Sequence, residues 1–470
     1  MSFDRRQFLG VLAGGAVAGS YAPTHSSPRD WLHPYRETAA LILRTALADR
    51  TGWERIAELA DTFGPRLSGS ASLERSIEWI AERMRRDGFD TVRAEPVMVP
   101  HWVRGSESLE IVTPHPRRIP VLGLGHSVAT PEQGVEAEVV VIGSFAELER
   151  RRDEVQGRIV LFNVPFSDYT STVVYRTDGA SRAANAGAVG VLVRSVGPPG
   201  LRTLHTGMVR YAVDGPRIPA AAVAVEDARR FQRMIERGQR VTVRLRMNAQ
   251  MLPDAPSANL IGEVRGRERP EEIVLVGAHL DSWDVGDGVI DDGAGCVAVW
   301  EVARILAHLG LRPRRTVRVV LFTNEENGLR GATSYRDVHR AELRDHVLLI
   351  ETDLGVDAPS GFGISGNDVV REQIAAIASL LKPIGATSVQ AAGGGADIRP
   401  SALVSGTPML SPDVDASDYF VAHHTEADTI ERVSPEKMAR HIAALAVVTY
   451  VVAEMPHRLG FDPAGPSQSQ

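Results

Sequence analysis

Residues 277–295 read GAHLDSWDVGDGVIDDGAG, and within them His279 stands among Asp281, Asp284, Asp287, Asp291 and Asp292. Like charges crowded this closely repel, and the cost is tolerable only when a cation offsets it. Three later segments add the same kinds of donor. FTNEENGLRGA (322–332) carries Asn324, Glu325 and Glu326; IETDLG (350–355) carries Glu351 and Asp353; DYFVAHHTEADT (418–429) carries His423 and His424. The first two follow apolar, β-branched runs, as His279 does. Taken singly, each has a bland reading: an HxD turn, an acidic helix start suited to the dipole, an incidental histidine pair. Their ordered placement at successive strand ends is what carries information, because ligands of open α/β sheets bind outside the carboxyl ends of the strands. So many negative groups at one edge call for a divalent metal pair. Imidazole plus carboxylate without thiolate suits zinc, cobalt or manganese rather than calcium. A pair of ions needs a bridging carboxylate, and one carboxylate must stay free as a general base. Glu325 and Glu326 offer both roles, since neighbouring side chains point different ways.

The elements that must hold these donors are legible in the patterning. After Ser257, apolar runs alternate with helical ones. EEIVLVGAHL is followed by the helix GAGCVAVWEVARILAHLG, in which Glu301, Arg304 and His308 form one polar stripe. TVRVVLFTNEE, HVLLIETDLG and SALVSGTPMLS then read as further strands, and Ser434 with Pro435 opens a last helix that runs to about Glu454. Continuous apolar strands between helices predict an α/β fold, a mostly parallel sheet covered on both faces. Ahead of it lie helices from Tyr35 onward, one with Leu73, Ile77, Ile80 and Met84 on a face and Gly88 as its stop. Between these parts, AEVVVIG, GRIVLFNV, GAVGVLVRSV, IPAAAVAV and RVTVRLRM predict an inserted β-rich module with one or two short helices. The resulting division is 35–114, an insert at 115–250, 251–458, and an unstructured tail at 459–470.

Bulk composition narrows the classes. The 470 residues are 43% hydrophobic and 24% charged, with net charge −7, so no basic surface points to nucleic acid. Nearly all cations are arginine; Lys382 and Lys437 are the only lysines. The single cysteine, Cys296, permits no intramolecular disulfide and no thiolate cluster, and its apolar helical setting reads as a buried inert thiol. Residues 1–22, MSFDRRQFLGVLAGGAVAGSYA, pair Arg5 and Arg6 ahead of a short Gly/Ala-rich apolar run. They resemble a twin-arginine export signal, which predicts a periplasmic or secreted protein. The run is too short and too rich in glycine for a membrane span; 442–453 is also too short and carries a helical pattern.

The four donor segments, with GPRLSGSASLERSIEWI (64–80) and EPVMVPHWVRGSES (95–108), resemble the co-catalytic zinc exopeptidases of the aminopeptidase and glutamate carboxypeptidase group. The insert resembles their protease-associated domain. The resemblance implies two zinc ions. His279 and Asp353 would hold one, Glu326 and His424 the other, and Asp291 would bridge. Glu325 would be the general base, Asp281 would steady the His279 imidazole, and Tyr419 would face the oxyanion. The Asp291–Asp292 bond matches a cis peptide of the family. Asp284, Asp287 and Asp292 are then loop and helix-start groups. His423 stands as a second candidate for the last ligand, and Asn324 occupies a position where a small residue is common. Asp397, in GGGADI (393–398), could receive a substrate amino group, although a turn aspartate is the preferred reading. The expected substrates are dipeptides or short peptides with a free terminus. Aminopeptidase action, a non-catalytic binding ectodomain, and an amidase or cyclase are the alternatives; a homodimer is implied by resemblance alone.

Overall fold

The computed structural model describes residues 31–461, so the expected export signal and all but the first three residues of the expected tail lie outside the described residues. Two eight-stranded sheets organise the chain.

The first sheet carries the strand Arg269–His279 near its middle. This strand pairs in parallel with Arg315–Phe322 on one side and His346–Glu351 on the other. Both neighbours are buried along their whole length; their cores are apolar, and Arg315 and Arg318 pair with Glu272 and Glu263. Met409–Asp413 continues the parallel set beyond His346–Glu351. The outer strands depart from the expected parallel sheet. Thr91–Val103, Gln250–Val264 and Arg315–Phe322 run antiparallel to one another in turn, and so do Gly361–Ile364 and Met409–Asp413. The sheet is therefore mixed: parallel at its centre and again at the edge pair Gly361–Ile364 and Ser388–Ala391, antiparallel elsewhere. Antiparallel edges tolerate one wet face, and Gln250–Asp254 is exposed throughout. SALVSGTPMLS also divides differently from expectation: Arg399–Ser405 is a helix, Gly406 ends it at φ 72, and the strand begins at Met409.

Helices cover this sheet. Ala294–His308 and Pro435–Glu454 pack together, and their buried faces form one core with Ile42, Ile56 and Ile80 of the N-terminal helices. Ser70 caps Ala71–Arg86 by accepting from Leu73 N at 3.2 Å, and the four expected core positions of that helix are buried. Glu301 does not form a wet stripe. It is 1% exposed and accepts from Arg55 at 2.6 Å and from Arg304 at 2.7 Å, so its charge is paired inside the helix layer.

The second sheet belongs to the insert. Val135–Ile142, Ile159–Phe162, Gly190–Arg194 and Ala220–Val223 run parallel, and Thr242–Met247 joins antiparallel to Val135–Ile142. Glu107–Thr113, ahead of residue 115, is part of the same sheet. The module is α/β rather than simply β-rich, with helices at Phe145–Arg150, Tyr169–Thr177, Gly179–Asn185 and Val225–Glu236 among others. Gly179–Asn185 is alanine-rich and lacks a strong apolar period, which is why the sequence understates it.

Candidate metal centre and active site

Three parallel strands end together, and their ends supply the first donors. Arg269–His279 closes with His279 itself. The turn after Arg315–Phe322 delivers Glu325 and Glu326, and the turn after His346–Glu351 delivers Asp353. Asp291 comes from the irregular turn ahead of Ala294–His308, where the Asp291–Asp292 bond is cis, as the resemblance implies. Tyr419 and His424 arrive from the far side of the sequence. All five expected ligands meet.

Asp291 sits at the centre of them. Its Oδ1 lies 3.3 Å from His279 Nε2 and its Oδ2 lies 3.2 Å from His424 Nε2. Asp353 Oδ1 approaches the same His279 nitrogen at 3.3 Å, and Glu326 Oε2 approaches the same His424 nitrogen at 3.0 Å. Each imidazole is fixed from behind by a main-chain carbonyl. His279 Nδ1 is 2.9 Å from Asp281 O, and His424 Nδ1 is 3.2 Å from Thr206 O. A carbonyl only accepts, so each Nδ1 carries a hydrogen, and each Nε2 is the nitrogen that faces the carboxylates and would offer its lone pair to a bound cation. Asp291 Oδ2 and Glu326 Oε1 are buried without a hydrogen-bond partner. Orphaned acceptors of this kind, beside two imidazole nitrogens, fit divalent cations. His279 with Asp291 and Asp353, and Asp291 with His423 and His424, are groups whose donor atoms lie within 4.8 Å of one another. Of the adjacent histidines, His424 touches both carboxylates. His423 stacks on it with ring centres 3.7 Å apart, and its Nδ1 has no partner.

The electrostatics carry the same message. Burial alone would push both imidazoles toward neutrality, yet the surrounding carboxylates outweigh it and hold His279 and His424 well above the usual histidine range. A field that binds protons so strongly binds a divalent ion as well. Asp291, though buried, is drawn well below the ordinary carboxylate value by its contacts with the two histidines. Burial, followed by repulsion from Asp353 and Glu326, pushes Glu325 well above it. Burial, followed by repulsion from Asp291, pushes Glu326 to about 7.

The remaining expected residues are close by. Asp281 steadies His279 through its carbonyl rather than its carboxylate. The carboxylate instead accepts from Glu325 N at 3.0 Å, Glu326 N at 3.3 Å and Ser68 Oγ at 3.2 Å, which fixes the turn bearing the two glutamates. Tyr419, Glu325 and Leu354 line a cavity of about 380 Å³ together with Asp291, Glu326, Asp353, His423 and His424. Asp397 is buried, and neither of its carboxylate oxygens has a partner. Its main-chain N–H faces Glu351 Oε1 at 3.4 Å, and burial followed by the nearby Glu351 charge holds its carboxyl well above the usual range. Asn324 takes φ 64, a left-handed conformation that asparagine accepts more readily than most residues. Asp292 receives His279 N at 3.2 Å, and Asp284 pairs with Arg104. Asp287 offers its carbonyl to the buried Arg66 at 2.7 Å.

Sequence reasoning missed several supports. Arg66 donates to four main-chain carbonyls, of Gly64, Leu280, Asp287 and Gly288. Asp428 accepts from Val289 N and Ile290 N just ahead of Asp291. Asp428 lies inside a segment singled out for its histidines, so a signal existed there. Thr206 and the insert residues of the cavity wall, Tyr169, Val173, Arg176 and Met208, carried none.

A family model described as "Peptidase family M28" matches residues 259–449, and one described as "PA domain" matches residues 133–231. The chain belongs to peptidase family M28, and is a zinc-dependent metallo-exopeptidase with an inserted PA domain. It is 41% identical to carboxypeptidase Q of Bos taurus, over 98% of this chain and 99% of that protein. It is 42% identical to carboxypeptidase Q of Homo sapiens, over 97% and 98% respectively. The crystal structure of a peptidase M28 precursor from Shewanella amazonensis SB2B superposes with a TM-score of 0.86 at 34% identity, covering 92% of this chain and 99% of that one. BSAP, a zinc aminopeptidase from Bacillus subtilis, shares the fold with a TM-score of 0.65 at 22% identity, covering 85% and 93%. A non-catalytic ectodomain is excluded by the enzyme class. Among the described residues no helix is long and apolar enough to cross a membrane.

Proposed function

We propose that the protein hydrolyses dipeptides or short peptides from a free terminus, in the manner of a carboxypeptidase or dipeptidase, with two zinc ions per chain. The observation that carries this reading is Asp291, whose two oxygens face two imidazole Nε2 atoms at 3.3 and 3.2 Å. His279 and Asp353 would hold one ion, Glu326 and His424 the other, and Asp291 would serve both. Zinc bound there supplies the positive charge that brings the pKa of a water toward neutrality. Glu325 takes the proton of the attacking water and returns it to the leaving amine. Its position beside the donors, without a histidine contact of its own, suits a base rather than a ligand. The Tyr419 hydroxyl donates to the oxyanion. The cavity of about 380 Å³ suits a substrate of dipeptide size. Asp281 holds the His279 ring and the Glu325–Glu326 turn together.

Residues 35–114 and 251–458 form the catalytic unit around the insert in this reading, and the twin-arginine segment delivers the folded, loaded enzyme out of the cytoplasm. Aminopeptidase action is the second reading, supported by the unpartnered, buried Asp397 carboxylate, which a substrate ammonium would satisfy. The test is a panel of dipeptides blocked at either end, run beside zinc quantification. Turnover that tolerates a blocked amino terminus and requires a free carboxylate supports the first reading; the reverse pattern supports the second. Glu325→Ala is expected to retain zinc and fold while kcat/KM falls by about 10²–10⁴. Unchanged hydrolysis in that variant removes Glu325 as the base.

A further inference from the structure

Like Asp291, His424 is carried on no strand end. It sits in a loop with left-handed backbone, φ 62. What holds that loop comes from the insert. Thr206 N donates to His424 O at 2.9 Å, and His424 Nδ1 lies 3.2 Å from Thr206 O. One residue earlier, His205 Nδ1 lies 3.0 Å from His423 O. The insert thus grips both the backbone and the ring of the histidine loop.

The Thr206 carbonyl is itself held. Arg176 Nη1 donates to it at 2.8 Å, while Arg176 Nη2 donates to Tyr169 Oη at 2.7 Å. The guanidinium is buried, with 4% of the residue exposed. Gly207 makes room for it: a Cβ there would fall 2.1 Å from Arg176 Cζ. Arg176 Nη1 also stands 3.2 Å from His424 Nδ1. A guanidinium only donates, so it cannot satisfy a protonated Nδ1; the two lone pairs of the Thr206 carbonyl serve both donors instead. That arrangement turns His424 Nε2 toward Asp291 and Glu326.

We infer that the insert is a working part of the metal centre, and that Arg176 is a positioning residue which fixes His424 through the Thr206 carbonyl. The inference rests on the reading of His424 as a zinc ligand. Groups that orient a metal-bound imidazole typically contribute about 10–100-fold to metal affinity. Its test is competition for zinc between the metal-depleted full-length protein and a chromophoric chelator, independent of turnover. Arg176→Met is expected to weaken one of two zinc ions by about 10–100-fold and leave the other unchanged. Arg176→Lys, which keeps one donor, is expected to fall between it and the wild type. Arg202→Ala, which breaks the Arg202–Asp227 ion pair elsewhere in the insert, is expected to leave both affinities unchanged. Wild-type or tighter zinc binding by Arg176→Met overturns the proposal, and so does equal weakening by Arg202→Ala. Should Arg176→Met fail to fold, wild-type affinity in Arg176→Lys overturns it instead. His424→Ala separates the two readings. Retention of both ions there removes the ligand assignment itself, whereas loss of one ion with Arg176→Met unaffected removes only the role given to the insert.

Discussion

The two sheets share a construction and differ in what their strands end upon. In each, a central group of parallel strands brings several carboxyl ends to one edge. In the catalytic sheet those ends deliver His279, Glu325, Glu326 and Asp353 into one buried cluster. In the insert, Ile159–Phe162 is followed by Asn163, and Gly190–Arg194 closes with Arg194, which donates to Asn163 Oδ1 at 3.3 Å. One edge concentrates negative charge and leaves acceptors unpartnered. The other pairs an amide with a guanidinium. Parallel topology therefore provides a place, and the donor types decide whether it becomes a reaction centre.

Metal removal gives the sharpest test of that contrast. Chelation is expected to abolish peptide hydrolysis, and added zinc to restore it; full activity with no zinc by elemental analysis would erase the distinction between the two edges. Asp291→Ala comes next. It removes the carboxylate shared by both imidazoles, so zinc should fall below the wild-type content and kcat/KM by at least about 100-fold. Wild-type zinc content in that variant would contradict the central role of Asp291.

A smaller effect is expected at a charged cluster away from the site. His339 is raised above the usual histidine value, despite burial, by contacts with Glu342 and Glu95. The bond from His339, with Arg318 adding to it, draws Glu342 down to about 2. The histidine contribution is complete below its unfolded value near 6.5 and fades as pH rises through the raised folded value. The Glu342 contribution is complete above 4.5 and fades as pH falls toward about 2. Both are present together between those limits. His339→Gln should therefore cost more stability at pH 5.5 than at pH 8.5, by about 1 kcal/mol, since the Glu342 side chain is 40% exposed and water screens it. Chemical denaturation at the two pH values measures it, and an equal cost at both would show that the charge on His339 contributes nothing. The smallest change is expected at the insert edge. Asn163→Ala should leave kcat/KM within about twofold, because the residue belongs to the sheet without chemistry. A large loss of turnover there would mean that both edges act.

Much of the catalytic half was legible because its signals are local. An apolar run ending in His279, or in Glu325 and Glu326, announces both a strand and its cargo within a dozen residues. The same locality explains the errors. The outer strands Thr91–Val103 and Gln250–Val264 pair across about 150 intervening residues and are half wet, so neither carries a buried-strand pattern. Glu301 read as part of a polar stripe because its partner Arg55 is 246 residues away. Nothing near position 281 indicated that the Asp281 main chain, rather than its carboxylate, would meet His279.

By itself, the sequence determined the α/β class of the catalytic half, the presence of an insert, the kinds of donor available and hence the demand for a cation. Those properties follow from side-chain chemistry and from periodicities shorter than one element. Only the tertiary structure decided which atoms meet: that Asp291 faces two imidazoles, that His424 rather than His423 touches both Asp291 and Glu326, and that Thr206 and Arg176 of the insert stand behind it. The contacts from Thr206 and Arg176 to His424 join residues separated by more than 200 positions, and the geometry of them all depends on how two sheets and a loop pack, which no local pattern encodes.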